Sequence, residues 1–428
     1  MTLHAQEYPR AGDTLYSGRL DNGLAVYVVP RPGFRKKQAM LSVNYGGATR
    51  SFSLSGGRVD TPAGVAHFLE HKMFDLPDGN ALNILTARGA EANAYTSADM
   101  TAYYFECGDG FYDNLELLIK FVTTPYFTAE SVAKEQGIIG QEIRMTEDDP
   151  LFTLYNSTMA ALFDHHPVRE SVAGTVESIA GISPELLYDC HRAFYVPSNM
   201  VLTVCGDVEP ERVAEIAALH TAPEYAAPAV PDYGGIEPLE PKAMRAEKRM
   251  DVSEPMFIAA AKLDTALERG DGALRLITVG SLAARCLFGP SSSFYYGLYA
   301  DGYLRGNFFR DVSPLAGTLL FECGGSSRDP GLVYERLCET LRAASRDGVC
   351  PEELEAARRA DYGATLRGLG EPGGVCSALA RCHFGGYGLY EGFDVLSGVT
   401  AGDCTEFLRM YLPPERILLS TVLPKERT

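Results

Sequence analysis

Residues 194–202, FYVPSNMVL, and residues 410–418, MYLPPERIL, divide the chain. In the first, Tyr195-Val196-Pro197 precedes Val201-Leu202; in the second, Tyr411-Leu412-Pro413 precedes Ile417-Leu418 at the same spacing. Each copy reads as a helix end, a proline turn and a strand. Asp189-Cys190 and Asp403-Cys404 lie upstream at similar but unequal offsets. A period near 216 residues is too long for a solenoid and suits two duplicated domains. Between the copies, residues 222–241 carry Pro223, Pro228, Pro231, Pro238 and Pro241 with the pair Gly234-Gly235, a composition that resists regular structure. The expected organisation is an N-terminal domain over 1–218, a Pro-rich linker over 219–245 and a homologous C-terminal domain over 246–428. A chain of 428 residues exceeds what one hydrophobic core ordinarily serves.

Local patterns predict mixed elements. LDNGLAVYVVP at 20–30 reads as a strand after a tight Asp21-Asn22-Gly23 turn, and MLSVNYG at 40–46 as a second strand. Residues 63–74 read as a helix, with Pro62 in its first turn and Thr61 or Asp60 as cap. NAYTSADMTAYYFEC at 93–107 reads as strand. Residues 110–123 and 129–145 read as helices, the second capped by Thr128. Without a strict strand–helix–strand rhythm, the expected class is α+β.

Composition narrows the function classes. Apolar content of 46% and charged content of 22% are those of a folded globular chain. A net charge of −18 argues against nucleic acid and against an anionic membrane surface. No run approaches the length of a membrane span, and Met1 to Gly18 lack the apolar core of a signal peptide. The ten cysteines form no CxxC pair and read as free thiols, so a cytoplasmic location is expected.

His67-Phe68-Leu69-Glu70-His71 carries the chemistry. On a helix, positions i and i+4 share a face, so both imidazoles reach one ion, with Glu70 beside them. Two histidines and a carboxylate bind zinc and leave a fourth position for water, and an adjacent carboxylate can take that water's proton. The order HxxEH inverts the HExxH signature and is itself a metallopeptidase motif. A third ligand is required. Glu130, Glu135 and Glu142 lie on the 129–145 helix, and Glu135 and Glu142, two turns apart, share a face. Spacing alone leaves both open as ligand or supporting group. His165-His166 stand in a loop before Pro167, and His191 and His383 read as packed or surface groups.

These stretches resemble the pitrilysin/insulinase family of zinc peptidases. The resemblance runs through LDNGLAVYVVP (20–30), GVAHFLEHKMF (64–74), NAYTSADMTAYY (93–104), EQGIIGQEI (135–143) with Asp149-Pro150, and FYVPSNMVLTVCGDV (194–208). Within the family the chain is most similar to the zinc-carrying subunit of short bacterial processing peptidases. The resemblance implies two homologous α+β domains, each an antiparallel sheet covered by helices. It implies one Zn2+ per chain on His67, His71 and Glu142, Glu70 as catalytic base, and Glu135 as a supporting residue. It also implies that peptide substrates add as a strand along Asn93, Ala94, Tyr95 and Thr96.

The second half departs from the family pattern. The Arg and Tyr that hold the peptide normally sit in S-R-L-F and R-G-L-A-Y stretches, which here read Ser291-Ser292-Ser293-Phe294-Tyr295 and Gly302-Tyr303-Leu304-Arg305-Gly306. Ser293 takes the Arg position, and Arg305 and Tyr303 are the available substitutes. The second half carries no HxxEH. The expectation is a zinc endopeptidase for short or unfolded peptides, working in a clam-like chamber as a heterodimer with a non-zinc paralogue or as a homodimer. The alternatives are a non-catalytic scaffold subunit and a dedicated maturation peptidase for a modified peptide.

Overall fold

The computed structural model describes residues 3–54 and 56–425. The first sheet contains β1 (His4–Tyr8), β2 (Asp13–Arg19), β3 (Ala25–Pro30), β4 (Lys37–Val43), β5 (Glu91–Thr96), β6 (Thr101–Cys107) and β7 (Met200–Gly206), ordered β1-β2-β3-β7-β4-β6-β5. The second contains β8 (Arg245–Met250), β9 (Met256–Asp264), β10 (Phe309–Leu315), β11 (Thr318–Ser326) and β12 (Leu418–Pro424), ordered β8-β12-β9-β11-β10. Without β1 and β2, the two orders are the same. Both sheets are antiparallel except for one pair at the same place in each, β7 with β3 and β12 with β8. The chain is therefore an α+β duplication of two domains.

The helices that matter to the site and the cores are α1 (Val65–Met73), α2 (Phe111–Thr123), α3 (Ala129–Glu147), α4 (Pro150–Leu162), α5 (Pro184–Phe194), α6 (Pro210–His220), α7 (Asp271–Phe288), α8 (Ser293–Ala300), α9 (Pro330–Asp347), α10 (Pro372–Gly385) and α11 (Ala401–Tyr411). The duplication is sharpest in α5 and α11. Ser183 and Thr400 cap them through their side chains, and each helix leads through a one-turn helix into β7 or β12. By elements the offset is 217 residues: the helices open at Pro184 and Ala401, and the single turns at Pro197 and Pro414. Pro197 thus corresponds to Pro414, one residue past the Pro413 that the sequence match pairs with it.

The boundaries expected at 1–218, 219–245 and 246–428 follow chain order, whereas the packing exchanges two segments. One compact unit is residues 1–143, 171–233 and 365–390; the other is 144–170, 234–364 and 391–428. Helix α10 packs on β7 and β4 of the first sheet, and α4 packs on β12, β9 and β8 of the second. Between α6 and β8, residues 221–244 form no helix or named strand. Val26, Val28, Leu41, Phe68, Leu69, Phe105, Leu118 and Leu202 lie in the first core. Phe257, Ala259, Leu282, Phe288, Phe321, Leu337, Leu408 and Leu419 lie in the second. Among the described residues only Asp271–Ala300 has the length and hydropathy to suit a bilayer. It is two helices, and the buried residues of α7 fill the second core, so it is a core segment. The ten cysteines form no disulfide.

Two local readings are corrected. The stretch 93–107 is a hairpin, β5 and β6, because Ser97 closes a turn: its N–H donates to Met100 O at 2.8 Å and its Oγ accepts from Met100 N at 3.1 Å. Helix α1 starts at Val65, with Gly64 rather than Thr61 or Asp60 at its N-cap and no side-chain cap. Thr61 Oγ1 is spent on Arg50 O, and the Asp60 carboxylate on Ser51 and Arg58.

Glycine at that cap is required twice over. Gly64 has φ +93°, and a Cβ there would meet Ala173 O at 2.5 Å. The contact is reciprocal, since a Cβ on Gly174, φ +74°, would meet Ala63 O at 2.4 Å. The two backbones touch where α1 begins. Gly64→Ala is expected to destabilise the first unit by about 1–3 kcal/mol, read as a lower midpoint in thermal or urea unfolding. A midpoint equal to wild type would mean that the entry to α1 relaxes freely.

Candidate metal centre

Helix α1 buries Val65, Ala66, Phe68, Leu69 and Met73 against the first core, which turns His67 and His71 to the other face. Their rings meet edge to face with centroids 4.6 Å apart. Helix α3 runs past that face. Thr128 caps it as expected: Thr128 Oγ1 accepts from Ser131 N at 3.1 Å, and Thr128 N donates to Ser131 Oγ at 3.3 Å. Ile139 and Ile143 anchor α3 in the core, and Glu135 and Glu142 face α1.

The structure separates the two glutamates that spacing left open. His67 Nε2 lies 3.7 Å from Glu142 Oε1, and His71 Nε2 lies 3.6 Å from Glu142 Oε2. Glu135 Oε1 instead takes the far side of the second imidazole, 3.0 Å from His71 Nδ1. With Glu135 ionised, Nδ1–H donates, which leaves the Nε2 lone pair directed at Glu142.

Donor atoms of His67, His71 and Glu142 all lie within 4.8 Å of one another. Separations of 3.6 and 3.7 Å are too long for hydrogen bonds. They are close to the edge, about 3.4 Å, of a tetrahedron with bonds of about 2.1 Å. The donor set and spacing fit a zinc ion. His67 Nδ1 is buried with no hydrogen-bond partner among the described residues, so the outer support seen at His71 is not repeated at His67.

Protonation follows from burial and neighbours. Burial, aided by the nearby His71, lowers the His67 pKa to about 4, which favours the neutral, ligating form. Burial also works to lower His71, but the Glu135 hydrogen bond and the charges of Glu70 and Glu142 outweigh it and raise its pKa. Glu135 is lowered: burial opposes its charge, and His71 more than compensates. Burial raises Glu70, against the Thr96 hydrogen bond and His71.

Glu70 is 7% exposed and accepts from Thr96 Oγ1 at 2.7 Å. Thr96 ends β5, and β5 pairs only with β6 among the described residues, so its other edge is open. Asn93, Ala94 and Tyr95 precede Thr96 on that strand, and Ala94 N donates to Asn93 Oδ1 at 2.8 Å. The structure thus brings His67, Glu70, His71, Glu135, Glu142 and Thr96 together.

Sequence reasoning missed Lys72. It is 1% exposed and sits between Asp75 and Glu135. A signal was available: Val65, Phe68, Leu69 and Lys72 follow the i, i+3, i+4, i+7 stripe of a buried helix face, and the last is charged. Three other histidines are tied into the fold by ring hydrogen bonds. His166 Nε2 bonds Ala316 O at 3.1 Å, His191 Nε2 bonds Val122 O at 3.2 Å, and His383 Nδ1 bonds Tyr27 OH at 3.2 Å. In the second unit, Ser293 opens α8, Arg305 pairs with Glu254 at 3.2 Å, and Arg328 stacks over the Tyr303 ring.

Two sheets that share one order over five strands, with a three-donor cluster on α1 and α3 of the first unit, define a duplicated α+β protein with one candidate metal centre among the described residues. A family profile described as Insulinase (Peptidase family M16) matches residues 54–176, and one described as Peptidase M16 inactive domain matches residues 181–360. The chain is 35% identical over 425 residues to the protein named Uncharacterized zinc protease YmfH of Bacillus subtilis, covering 98% of this chain and 99% of that one. It is 23% identical over 325 residues to Uncharacterized zinc protease YmxG of the same organism, covering 74% of this chain and 77% of that one. A crystal structure described as an M16-like peptidase from Alicyclobacillus acidocaldarius superposes with TM-score 0.92 at 30% identity, covering 98% of this chain and 100% of that one. The chain belongs to the insulinase family of peptidases, family M16.

Proposed function

We propose that this chain is a zinc endopeptidase of the cytoplasm that hydrolyses short or unfolded peptides. His67, His71 and Glu142 hold the ion, Glu70 is the general base, and Glu135 orients His71. The observation that carries the reading is the bond from Thr96 on an open strand edge to Glu70 on the helix of the histidine pair. It joins a place for an extended backbone to a base beside three metal donors.

Zinc, when bound, supplies Lewis acidity toward the scissile carbonyl and acidifies the attacking water. Asn93 to Thr96 align the peptide by backbone hydrogen bonds, which give affinity with little sequence choice. Glu70 removes the proton of water as its oxygen bonds to the carbonyl carbon. Glu70 then delivers that proton to the amine nitrogen as the carbon–nitrogen bond breaks. Thr96 donates to Glu70 Oε2, which holds the side chain in place while the protonated carboxyl carries the proton from one transfer to the other.

Arg305 and Tyr303 are engaged by Glu254 and Arg328, which supports a site completed from a second chain. A non-zinc paralogue is the partner that fits a site lacking only the Arg and Tyr, and a second copy is the other. The test is cleavage of a fluorogenic peptide pool by the purified chain, alone and co-expressed with its paralogue. Cleavage is expected with the paralogue, lost on chelation and restored by zinc. Full activity of the monomer would overturn the paired site. Zinc-replete protein inactive in both preparations would favour a scaffold role.

A further inference from the structure

Lys72 is among the largest fully buried side chains, beside His71 on α1. A buried ammonium is costly unless paired. Its Nζ donates to Asp75 Oδ2 and lies 4.0 Å from Glu135 Oε2. The other oxygen of the same carboxylate, Oε1, lies 3.0 Å from His71 Nδ1. Glu135 is therefore bridged, one oxygen facing the ammonium and the other the imidazole. Asp75 is the more exposed partner, at 29% for its side chain against 15% for Glu135, so water can solvate Asp75 but not the inner carboxylate as well.

We propose that Lys72 is a positioning residue for the metal centre, acting through Glu135 on His71. The inference rests on the reading of His67, His71 and Glu142 as zinc ligands. A single buried hydrogen bond to His71 would let the Glu135 carboxylate rotate. A cation behind Oε2 holds the carboxylate plane and keeps Oε1 on Nδ1–H, which fixes the imidazole with Nε2 toward the ion. Lys72 touches neither ion nor substrate in this scheme. Helix α1 thus supplies two ligands, the base and the prop for one ligand within six residues.

The test is a double-mutant cycle on zinc affinity, measured by competition with a chromophoric chelator on the full chain. Lys72→Met removes the charge at similar volume, Glu135→Gln removes the intermediary, and Asp75→Asn controls for the local pair. Lys72→Met and Glu135→Gln are each expected to weaken zinc binding about 10–100-fold. Lys72→Met in the Glu135→Gln background is expected to change it less than about twofold, and Asp75→Asn to lie near wild type. Circular dichroism of the metal-free proteins confirms the fold. Should Lys72→Met not fold, Lys72→Gln takes its place in the same cycle. Affinity of the Lys72 variant within twofold of wild type overturns the inference, as does an effect that adds in full to that of Glu135→Gln. A wild-type chain that takes up no zinc overturns the metal reading beneath it, an outcome distinct from both.

Discussion

Glu70→Gln is expected to lower kcat/KM for peptide hydrolysis by a factor on the order of 10²–10⁴ while zinc stays bound. The substitution removes proton affinity and little else. Glutamine keeps the length of the side chain, and its amide oxygen can still accept from Thr96 Oγ1. The three candidate metal donors are untouched, since Glu70 is outside the cluster of His67, His71 and Glu142. A loss of that size corresponds to about 3–5 kcal/mol of transition-state stabilisation, the share that one positioned base supplies. Kinetics on a fluorogenic peptide with metal analysis of the same sample reads both quantities. Activity within tenfold of wild type at stoichiometric zinc would remove Glu70 from the base role. Parallel loss of zinc and activity would instead make it a residue that holds the centre together.

The second large effect lies in the other unit. Lys262 on β9 is fully buried, and its Nζ donates to Glu237 Oε1 at 2.6 Å. Glu237 is 4% exposed and also accepts from Asp164 N, His165 N and His166 N at 2.9, 2.8 and 2.9 Å. One carboxylate thus ties the Pro-rich connector to the loop after α4. Glu237→Gln leaves the buried ammonium without its countercharge, which is expected to cost about 3–5 kcal/mol. The pair Glu237→Gln with Lys262→Met is expected to recover much of that loss, because no buried charge remains.

The pH dependence carries the sign of a lowered carboxylate. Burial opposes the Glu237 charge, but Lys262 and the three amides outweigh it and bring the pKa to about 2, against about 4.3 unfolded. Its contribution is present in full above the unfolded value and is lost as pH falls through the folded one. Denaturant midpoints of wild type and Glu237→Gln are therefore expected to differ most near pH 7 and to converge between about pH 4 and pH 2. A gap that persists unchanged at pH 2 would assign the effect to packing rather than charge.

Much of the centre was legible without coordinates because it is local. His67, Glu70 and His71 fall within one helical turn and a half, so backbone periodicity alone puts them side by side. Glu135 and Glu142 share a face for the same reason, but which of them meets the histidines depends on how α3 crosses α1, and spacing cannot give a crossing. The cap of α1 is not legible in the local sequence because Gly64 is required by a close approach of Ala173, more than a hundred residues away in sequence. Thr61 and Asp60 looked like caps and are held by Arg50, Ser51 and Arg58. The hairpin at Ser97 was hidden because a turn of Ser, Ala, Asp and Met carries neither glycine nor proline.

The sequence by itself determined the duplication, the α+β class and the helix that carries the histidine pair, since each is written in short-range periodicity or in a pattern that recurs. Spacing leaves open which glutamate stands between the two Nε2 atoms, a choice that only the family resemblance implied; the tertiary structure decided it, and decided that Lys72 is buried behind the other. It also decided that α4 and α10 each cover the sheet of the opposite half. The physical reason is common to all three. Burial selects for an apolar face, a charge partner or a fitting surface wherever the folded chain offers one, and nothing requires that partner to be near in sequence.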